Sequence, residues 1–322
     1  MGVWNKFGGF ITDRKIKLNS LERIGMFIDF SLEKVIHGVP MDDYFKYEFY
    51  LKNRRGRKAF ASGKKKRSFY AKMNNQKSRN YLDDKSLFLK KYSEFVKRDS
   101  ISLKETDYEQ FLSFCRKNPN IFAKPANGHF GIGAKKYHLT DDNEIKKAYE
   151  EMKGQDYVAE TLIIQSSELA AFNTSSINTI RIMTFVDDNY NVEVLPYAAL
   201  RLGRAGRIAD NFHYDGISSM IDTTTGYVIT KGIDQHGNRF VVHPDSQVPI
   251  VGFLVPKWKE MCETVKKAAL VCPDVRCVGW DLTLAEDDSV IIIEGNGRPD
   301  PDIIQTGDGI GKWYLYEEMY SH

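Results

Sequence analysis

The chain has 322 residues, of which 42% are hydrophobic and 28% charged, and its formal net charge is +3. This composition is that of a globular protein with a sizeable core. The small net charge gives no reason to expect nucleic acid as a partner, and no apolar run approaches the roughly 20 residues that a membrane span needs. The N-terminus has no signal-peptide pattern and the four cysteines form no C-x-x-C pair, so we expect a reduced, cytoplasmic protein.

The first region, residues 1–80, predicts helices. Apolar residues recur at helical spacing from Leu21 to Val35. A second helix, rich in aromatic residues, is expected from about Tyr44 to Leu51. Its aromatic side chains are more typical of core packing than of a ligand-binding box.

The segment Lys52–Lys72 carries ten basic residues and no acid. Such a run is often only a solvated face. It is equally compatible with a surface that meets anionic lipid or an anionic substrate, because clustered cations lower the free energy of a polyanion nearby. The sequence does not choose between the two interpretations.

The second region, residues 81–155, predicts a helix from Asp84 and then two strands, Asn120–Pro125 and Ala134–Leu139. Between the strands lies a G-x-x-G-x-G stretch with the glycines Gly128, Gly131 and Gly133. Glycines let backbone N–H groups close on phosphate oxygens, and Lys124 adds an ammonium beside them. The stretch is not a Walker A motif, and a plain hairpin turn explains it equally well.

The third region, residues 156–322, predicts a sheet with helices, so that the fold class is α/β (α+β) with an N-terminal helical region. One helix is expected at about Pro256–Val271. The predicted strands are Tyr157–Ile164, Thr179–Val186, Val192–Ala199, Val228–Ile229, Val278–Leu284 and Val290–Glu294.

The last two strands form a hairpin that carries acids on both arms. Asp281 and Glu294 are about equally far from the Asp287-Asp288 turn, so they can face each other across it. Two carboxylates at that separation repel unless a cation neutralises them. Asn296 points to the same side as Glu294 and adds a neutral oxygen. Oxygen ligands of this kind suit Mg²⁺, and the alternative is a pair of solvent-facing acids.

In this order, the lysine–glycine stretch and the acidic hairpin resemble the ATP-grasp superfamily. The resemblance implies two α+β subdomains that clasp ATP, residues 81–155 with the glycine-rich loop and residues 156–322 with the metal site, after the helical region 1–80. It implies phosphate contacts from Lys85, Lys124 and the three glycines. It also implies that Tyr157–Ile163 is the hinge strand between the subdomains. The implied adenine contacts are Glu160, Thr161, Leu162 and Ile163, and the implied ligands of Mg²⁺ (or Mn²⁺ in its place) are Asp281, Glu294 and Asn296.

Several phrases resemble, more narrowly, the sugar-transfer associated ATP-grasp family linked to bacterial surface polysaccharide clusters. They are Gly38–Tyr50, Ser175–Arg181, Ala209–Gly216 and Val278–Asp281. Arg181 and Arg298 suit the holding of phosphoryl oxygens because a guanidinium donates in a fork, although each is also compatible with a structural ion pair. Asn178, Arg181, Asp210 and Asn211 are candidate substrate contacts, and Asn178 could equally cap its strand. Whether Asp300 and Asp302, beyond the metal segment, touch metal or substrate stays open.

The resemblance implies an ATP- and Mg²⁺-dependent carboxylate–amine ligase that acts through an acylphosphate, with Lys124, Arg181 and Arg298 as catalytic residues. The expected substrates are a small-molecule or sugar-linked carboxylate and an amine, in surface polysaccharide or related biosynthesis. The alternatives are a kinase that phosphorylates a hydroxyl and a non-catalytic nucleotide-binding subunit of a glycan assembly complex. We expect the chain in the cytoplasm or, through Lys52–Lys72, peripheral to the inner face of the membrane.

Overall fold

The structure is a computed structural model that describes residues 2–127, 133–153, 155–212 and 215–320. It consists of an N-terminal helical region, a four-stranded sheet and an eight-stranded sheet. The helices are α1 (Val3–Asp13), α2 (Ser20–His37), α3 (Met41–Lys46), α4 (Arg54–Lys58), α5 (Gly63–Met73), α6 (Gln76–Asp83), α7 (Lys85–Lys91), α8 (Ser93–Val96), α9 (Tyr108–Lys117), α10 (Asp142–Lys153), α11 (Ser167–Ala170), α12 (Trp258–Ala269), α13 (Asp302–Thr306) and α14 (Trp313–Met319), with a 3₁₀ turn at Phe49–Leu51. The strands are β1 (Ser100–Ser102), β2 (Asn120–Pro125), β3 (Lys135–His138), β4 (Tyr157–Thr161), β5 (Thr179–Val186), β6 (Val192–Val194), β7 (Tyr197–Leu202), β8 (Ile217–Asp222), β9 (Gly232–Ile233), β10 (Arg239–Phe240), β11 (Cys277–Leu284) and β12 (Val290–Asn296).

The smaller sheet has the antiparallel order β1-β4-β2-β3. Helices α9 and α10 cover one of its faces, and apolar side chains from both helices and the strands form one buried cluster. The capping box at Asp107 and Gln110 satisfies the first N–H groups of α9, which fixes where the chain turns onto the sheet. This sheet therefore has its own core.

The larger sheet is antiparallel, in the order β10-β9-β8-β7-β5-β11-β12, with β6 paired to β5. Every residue of β11 is buried, which explains why this segment is an apolar run rather than an alternating one. Trp280 lies fully inside the main core, and α12 packs across the sheet. The mixed α/β class and the helical N-terminus predicted from the sequence are confirmed.

The N-terminal helices surround an aromatic cluster that includes Phe7 and Phe30. Tyr44, Phe45 and Phe49 belong to it as well, so the prediction that the rings of the segment Tyr44–Leu51 pack in the core is confirmed. Asn19 caps α2 through a capping box, and Gly38, in the left-handed region at φ +64°, ends it. Phe30 is nevertheless the one residue of α2 that is fully buried.

Strand ends depart from prediction where the chain changes partner. Strand β4 stops at Thr161, because the chain then leaves the smaller sheet and Gln165 pairs with Ala285 beside the larger one. The predicted strand Val192–Ala199 is divided into β6 and β7 around Pro196, whose ring removes a backbone donor. The division of the chain at residues 80 and 155 stays a prediction. No helix among residues 2–127, 133–153, 155–212 and 215–320 is long and apolar enough to cross a membrane.

Candidate active site

A cavity of about 380 Å³ lies between the two sheets. Phe122, Lys124 and Lys136 contribute to it from the smaller sheet, and Thr179 and Ile293 from the larger. Residues 160–165, the segment that connects the sheets, form one wall, and Ile208, Ala209 and Asp210 form another. The predicted hinge residues Glu160, Thr161, Leu162 and Ile163 therefore all line a single cavity.

Glu160 is a buried carboxylate held between two cations. Its side chain accepts from Arg98 and lies 2.5 Å from Nζ of Lys124. Burial by itself would raise the pKa of Glu160, but the Arg98 guanidinium and the Lys124 ammonium outweigh it and lower the pKa to about 2. The carboxylate is thus charged at any physiological pH, and it positions Lys124 at the cavity wall.

The acidic hairpin has the register predicted from the sequence, with Asp281 directly opposite Glu294. A bulge follows at once, because Leu282 pairs with Ile292 and leaves Ile293 without a cross-strand partner. The Ile293 carbonyl accepts from Nη2 of Arg98 at 3.3 Å, and its residue lines the cavity. The bulge thereby places Glu294 next to the cavity wall.

Asp281 is buried and bound by two arginines. Nε and Nη2 of Arg181 donate to its two oxygens at 2.6 Å each, and Nη1 of Arg201 donates to Oδ2 at 2.7 Å. Burial alone would raise the pKa of Asp281, but the two guanidinium groups lower it to about 2. Arg201 also pairs with Asp210 at 3.4 Å, and Asp210 accepts from Thr179 at the cavity. These contacts form a continuous charged chain from the cavity to the hairpin.

Glu294 and Asn296 can accept a metal ion in this arrangement. The Glu294 side chain is partly buried, and Oδ1 of Asn296 accepts one N–H, from Arg298 at 2.9 Å. Burial of the carboxyl and the nearby Asp281 charge raise the pKa of Glu294, so a cation there would relieve repulsion. Asp281 uses three of its about four lone-pair sites for arginine, and the Glu294 carboxyl also contacts it. The donor set fits Mg²⁺ with Glu294 as the main ligand.

Lys85 and Gly133 lie on the smaller sheet's side of the site. Nζ of Lys85 donates to the carbonyl of Ala126 at 3.2 Å, and burial followed by the Lys124 charge lowers the pKa of Lys85. Gly133 has φ +78°, and a Cβ there would meet the ring of Pro125 at 3.0 Å. Gly128 and Gly131 lie outside the described residues.

Asn178 does not reach the cavity. Its amide nitrogen donates to Gln165, Leu169 and Asn173, and its oxygen accepts from the N–H of Gly203 at 3.0 Å. The fully buried amide therefore caps the start of β5, as in the second of the two interpretations that the sequence left open. Asn211 follows the cavity residue Asp210, and its carbonyl accepts from the N–H of Gly216 at 3.1 Å.

Asp300 and Asp302 pair with lysines of the N-terminal region. Nζ of Lys66 lies 3.0 Å from Asp300, and Nζ of Lys46 lies 3.2 Å from Asp302. These acids therefore fasten the segment after Arg298 to helices α3 and α5. Arg298 itself is exposed.

Sequence reasoning missed Arg98, Arg201 and Lys136. Arg201 had an available signal, since it is the one charge in the apolar strand Tyr197–Leu202 and a buried guanidinium needs carboxylate partners. Arg98 lies between a helix and a three-residue strand, where no pattern marks it.

The described residues thus form two antiparallel α/β units, with a cavity and the connecting segment 160–165 between them. The chain belongs to the sugar-transfer associated ATP-grasp family, whose model matches residues 64–313. The resemblance to this superfamily and family is thus confirmed.

Solved structures with a similar fold are distant. The ATP-grasp ligase PsnB, complexed with a minimal precursor, is 12% identical at a TM-score of 0.48, over 77% of this chain and 63% of that one. D-alanine–D-alanine ligase from Bacillus anthracis, complexed with ATP, is 17% identical at a TM-score of 0.45, over 77% of this chain and 68% of that one. N5-carboxyaminoimidazole synthase from Aspergillus clavatus is 11% identical at a TM-score of 0.44, over 71% of this chain and 48% of that one. The chain thus spans less than two thirds of PsnB and of the Aspergillus enzyme. No curated protein matches it by sequence.

Proposed function

We propose that this chain joins a carboxylate to an amine at the expense of ATP, through an acylphosphate. The observation that carries the proposal is the cavity between the sheets. It is lined by the hinge residues, by Lys124 and by Asp210, where the charged chain to Asp281 begins. Such a cavity has an apolar part for a base and a charged part for phosphates.

The hinge backbone at Thr161 and Ile163 would hold the adenine, and Lys124 and Lys85 the phosphates. Glu294, Asn296 and Asp281 would hold Mg²⁺, which supplies charge neutralisation on the ATP phosphates when bound. Arg298 is the exposed guanidinium that is available to the transferring phosphoryl group.

The proposal gives Arg181 a different role from the phosphoryl contact expected from the sequence. Because both its Nε and Nη2 are committed to Asp281, we assign it to positioning that carboxylate rather than to direct phosphoryl contact. Asp210 and Asn211, at the far wall of the cavity, are retained as substrate contacts, whereas Asn178 is not.

In the reaction, a carboxylate oxygen of the substrate attacks the γ-phosphorus and the bond from that phosphorus to the β-phosphate oxygen breaks, which releases ADP. The amine nitrogen then attacks the acyl carbon, the amide C–N bond forms, phosphate leaves and the amine loses a proton to solvent. The contribution of the protein is position and electrostatics, since phosphoryl transfer needs little covalent help.

The test is to incubate the chain with ATP, Mg²⁺ and a panel of sugar acids and amino acids in the presence of hydroxylamine. Formation of a hydroxamate together with ADP supports the acylphosphate. A stable phosphorylated product without hydroxamate would instead identify a kinase. Mg²⁺-independent nucleotide binding that survives Glu294→Ala would mean a non-catalytic subunit.

We further propose a sugar-linked carboxylate as the substrate and peripheral association with the inner face of the membrane. The family description supports the sugar context. For the membrane, support comes from Lys52–Lys72: although Arg57 and Lys66 are used in ion pairs, the exposed cations of the segment are Arg54, Arg55, Lys58, Lys64, Arg67 and Lys72.

A further inference from the structure

Helix α2 carries apolar residues on the side that faces away from the protein. Six large aliphatic side chains of this helix are between 48% and 80% exposed. At 100° per residue they lie within an arc of about 120°, and the other residue in that arc is Gly25. This apolar stripe consists of Leu21, Ile24, Ile28, Leu32, Val35 and Ile36.

The acids that border the stripe are already engaged. Asp29 and Glu33 accept from Arg57 at 2.8 and 3.0 Å, and Glu22 accepts from the backbone N–H of Asn19 at 2.8 Å. The stripe extends over 15 residue steps, which is roughly 22 Å at 1.5 Å per residue. A contiguous apolar surface of that length marks an interaction site.

A second cavity, of about 450 Å³, opens at the C-terminal end of the stripe. Ile36 belongs to both features. The walls carry the cations Arg54, Lys58, Lys64 and Lys65 against the aromatic rings of Phe60 and Trp313, and the acids in them are Glu33, which is paired with Arg57, and Glu317.

Lys65 shows that these walls are short of negative charge. Its Nζ lies 4.3 Å from the centre of the Trp313 ring and donates to the carbonyl of Lys58. Burial lowers the pKa of Lys65 to about 8, since Glu317 compensates this only in part. An anion in the cavity would stabilise the charged lysine.

From this geometry we propose that the stripe and the cationic cavity form one binding site for an anionic lipid surface. The aliphatic side chains enter the acyl boundary, and a lipid phosphate meets the cations of the cavity. Hydrocarbon alone or charge alone binds membranes weakly, and this surface offers both signals side by side. The site lies outside the ATP cavity and gives the proposed peripheral association a defined surface.

A protein partner fits the stripe less well. The cores of protein interfaces are enriched in aromatic residues, Met and Arg, and the exposed arc of α2 contains none of them. Aliphatic side chains beside basic ones match the composition of interfacial helices instead. Trp4 is half-exposed, and the centre of its ring lies 4.9 Å from the centre of the Phe27 ring. It adds an amphipathic ring beside the stripe.

The test is co-sedimentation of the full chain with phosphatidylcholine vesicles that contain or lack phosphatidylglycerol. The stripe variant Ile28→Ser/Leu32→Ser should bind anionic vesicles roughly tenfold less, or weaker still, because apolar burial is lost. The matched control Val241→Ser/Leu270→Ser, at exposed apolar positions elsewhere, should bind like the unmodified chain.

The cavity is tested separately with Arg54→Gln/Lys58→Gln, both exposed cations. This variant should lose most of its preference for phosphatidylglycerol. Added salt should weaken vesicle binding by the unmodified chain more than vesicle binding by the variant. Equal binding of the stripe variant and its control would overturn the proposal. So would a dimer of the unmodified chain that the stripe variant converts to monomer without any vesicle binding.

The proposal extends the peripheral association above but does not depend on ligation. Its readout is binding, so ADP release with soluble substrates should be the same in the stripe variant and its control. If the unmodified chain releases ADP but binds no vesicles, this proposal alone fails. If the unmodified chain binds vesicles but releases no ADP, the proposed activity alone fails.

Discussion

Glu294 differs from Asp281 in how its charge is held, although the two lie opposite each other in the sheet. Two arginines fix Asp281 as a carboxylate, whereas the pKa of Glu294 is raised by burial and by the Asp281 charge. The site therefore contains one permanent anion and one that responds to pH and to cations. Deprotonation of Glu294 and metal binding favour each other.

This difference predicts a pH-dependent requirement for Mg²⁺. As the pH falls through the raised pKa of Glu294, protons compete with the metal, so the Mg²⁺ concentration for half-maximal ADP release should rise by up to about tenfold per pH unit. At higher pH the carboxylate is ionised and the requirement should become constant. The measurement is Mg²⁺ titration of ADP release from weakly acidic to weakly basic pH.

Glu294→Gln should remove this dependence and lower the rate by about 100-fold, because a carboxylate ligand is replaced by a neutral amide. Glu286→Gln is the matched control, since Glu286 is an exposed acid on the same hairpin. If the control and Glu294→Gln behave alike, Glu294 is not a metal ligand.

At the scale of elements, the hairpin β11–β12 was predictable and the environment of its acids was not. The apolar runs, the Asp-rich turn and the equal spacing of Asp281 and Glu294 define a register from local information alone. The arginine partners come from strands β5 and β7, about 80 to 100 residues away in the chain. No local pattern in the sequence joins positions so far apart.

Local sequence patterns also failed to predict the short strands and the buried face of α2. β1 has three residues, and β8 contains the pair Ser218-Ser219, so neither shows a strong apolar alternation. For α2 the period was clear, but apolar residues occupy both the inner and the outer face. Periodicity predicts the helix in such a case, and tertiary packing decides which face is buried.

The ion pairs between the N-terminal helices and α13 predict a stability effect. Lys46 is almost fully buried between Asp302, at 3.2 Å, and Asp42, at 2.7 Å. Asp302→Asn leaves a buried ammonium with one partner instead of two, and should cost about 3 kcal/mol in the free energy of unfolding. The check is urea denaturation followed by circular dichroism.

The control for this measurement is Asp83→Asn, which breaks the helical-surface pair with Arg79. That pair should contribute less than about 1 kcal/mol, as surface pairs do. A destabilisation by Asp302→Asn no larger than that of the control would show that the buried contact does not hold the two regions together.

At the scale of the whole molecule, a ligand bound between the two sheets should stabilise the folded state. At about 100 times its dissociation constant, ATP with Mg²⁺ stabilises the folded state by about 2.7 kcal/mol, which corresponds to a rise in Tm of about 5 °C. Ala170→Phe, which fills the cavity, should abolish this shift. Ala171→Phe, at the exposed neighbouring position, should retain it in thermal unfolding monitored by scanning fluorimetry.

The pairing of Lys46 with Asp302 also bears on where this molecule can be divided. The family match begins at residue 64, so Lys46 lies outside it and Asp302 lies inside. A fragment cut at residue 64 would keep every proposed ATP and metal contact. It would lose the counter-ion of a buried acid, together with helix α2, which packs against α5. The first helices of this chain therefore supply packing and charge balance to the family-matched region, and we expect a stably folded fragment to include them.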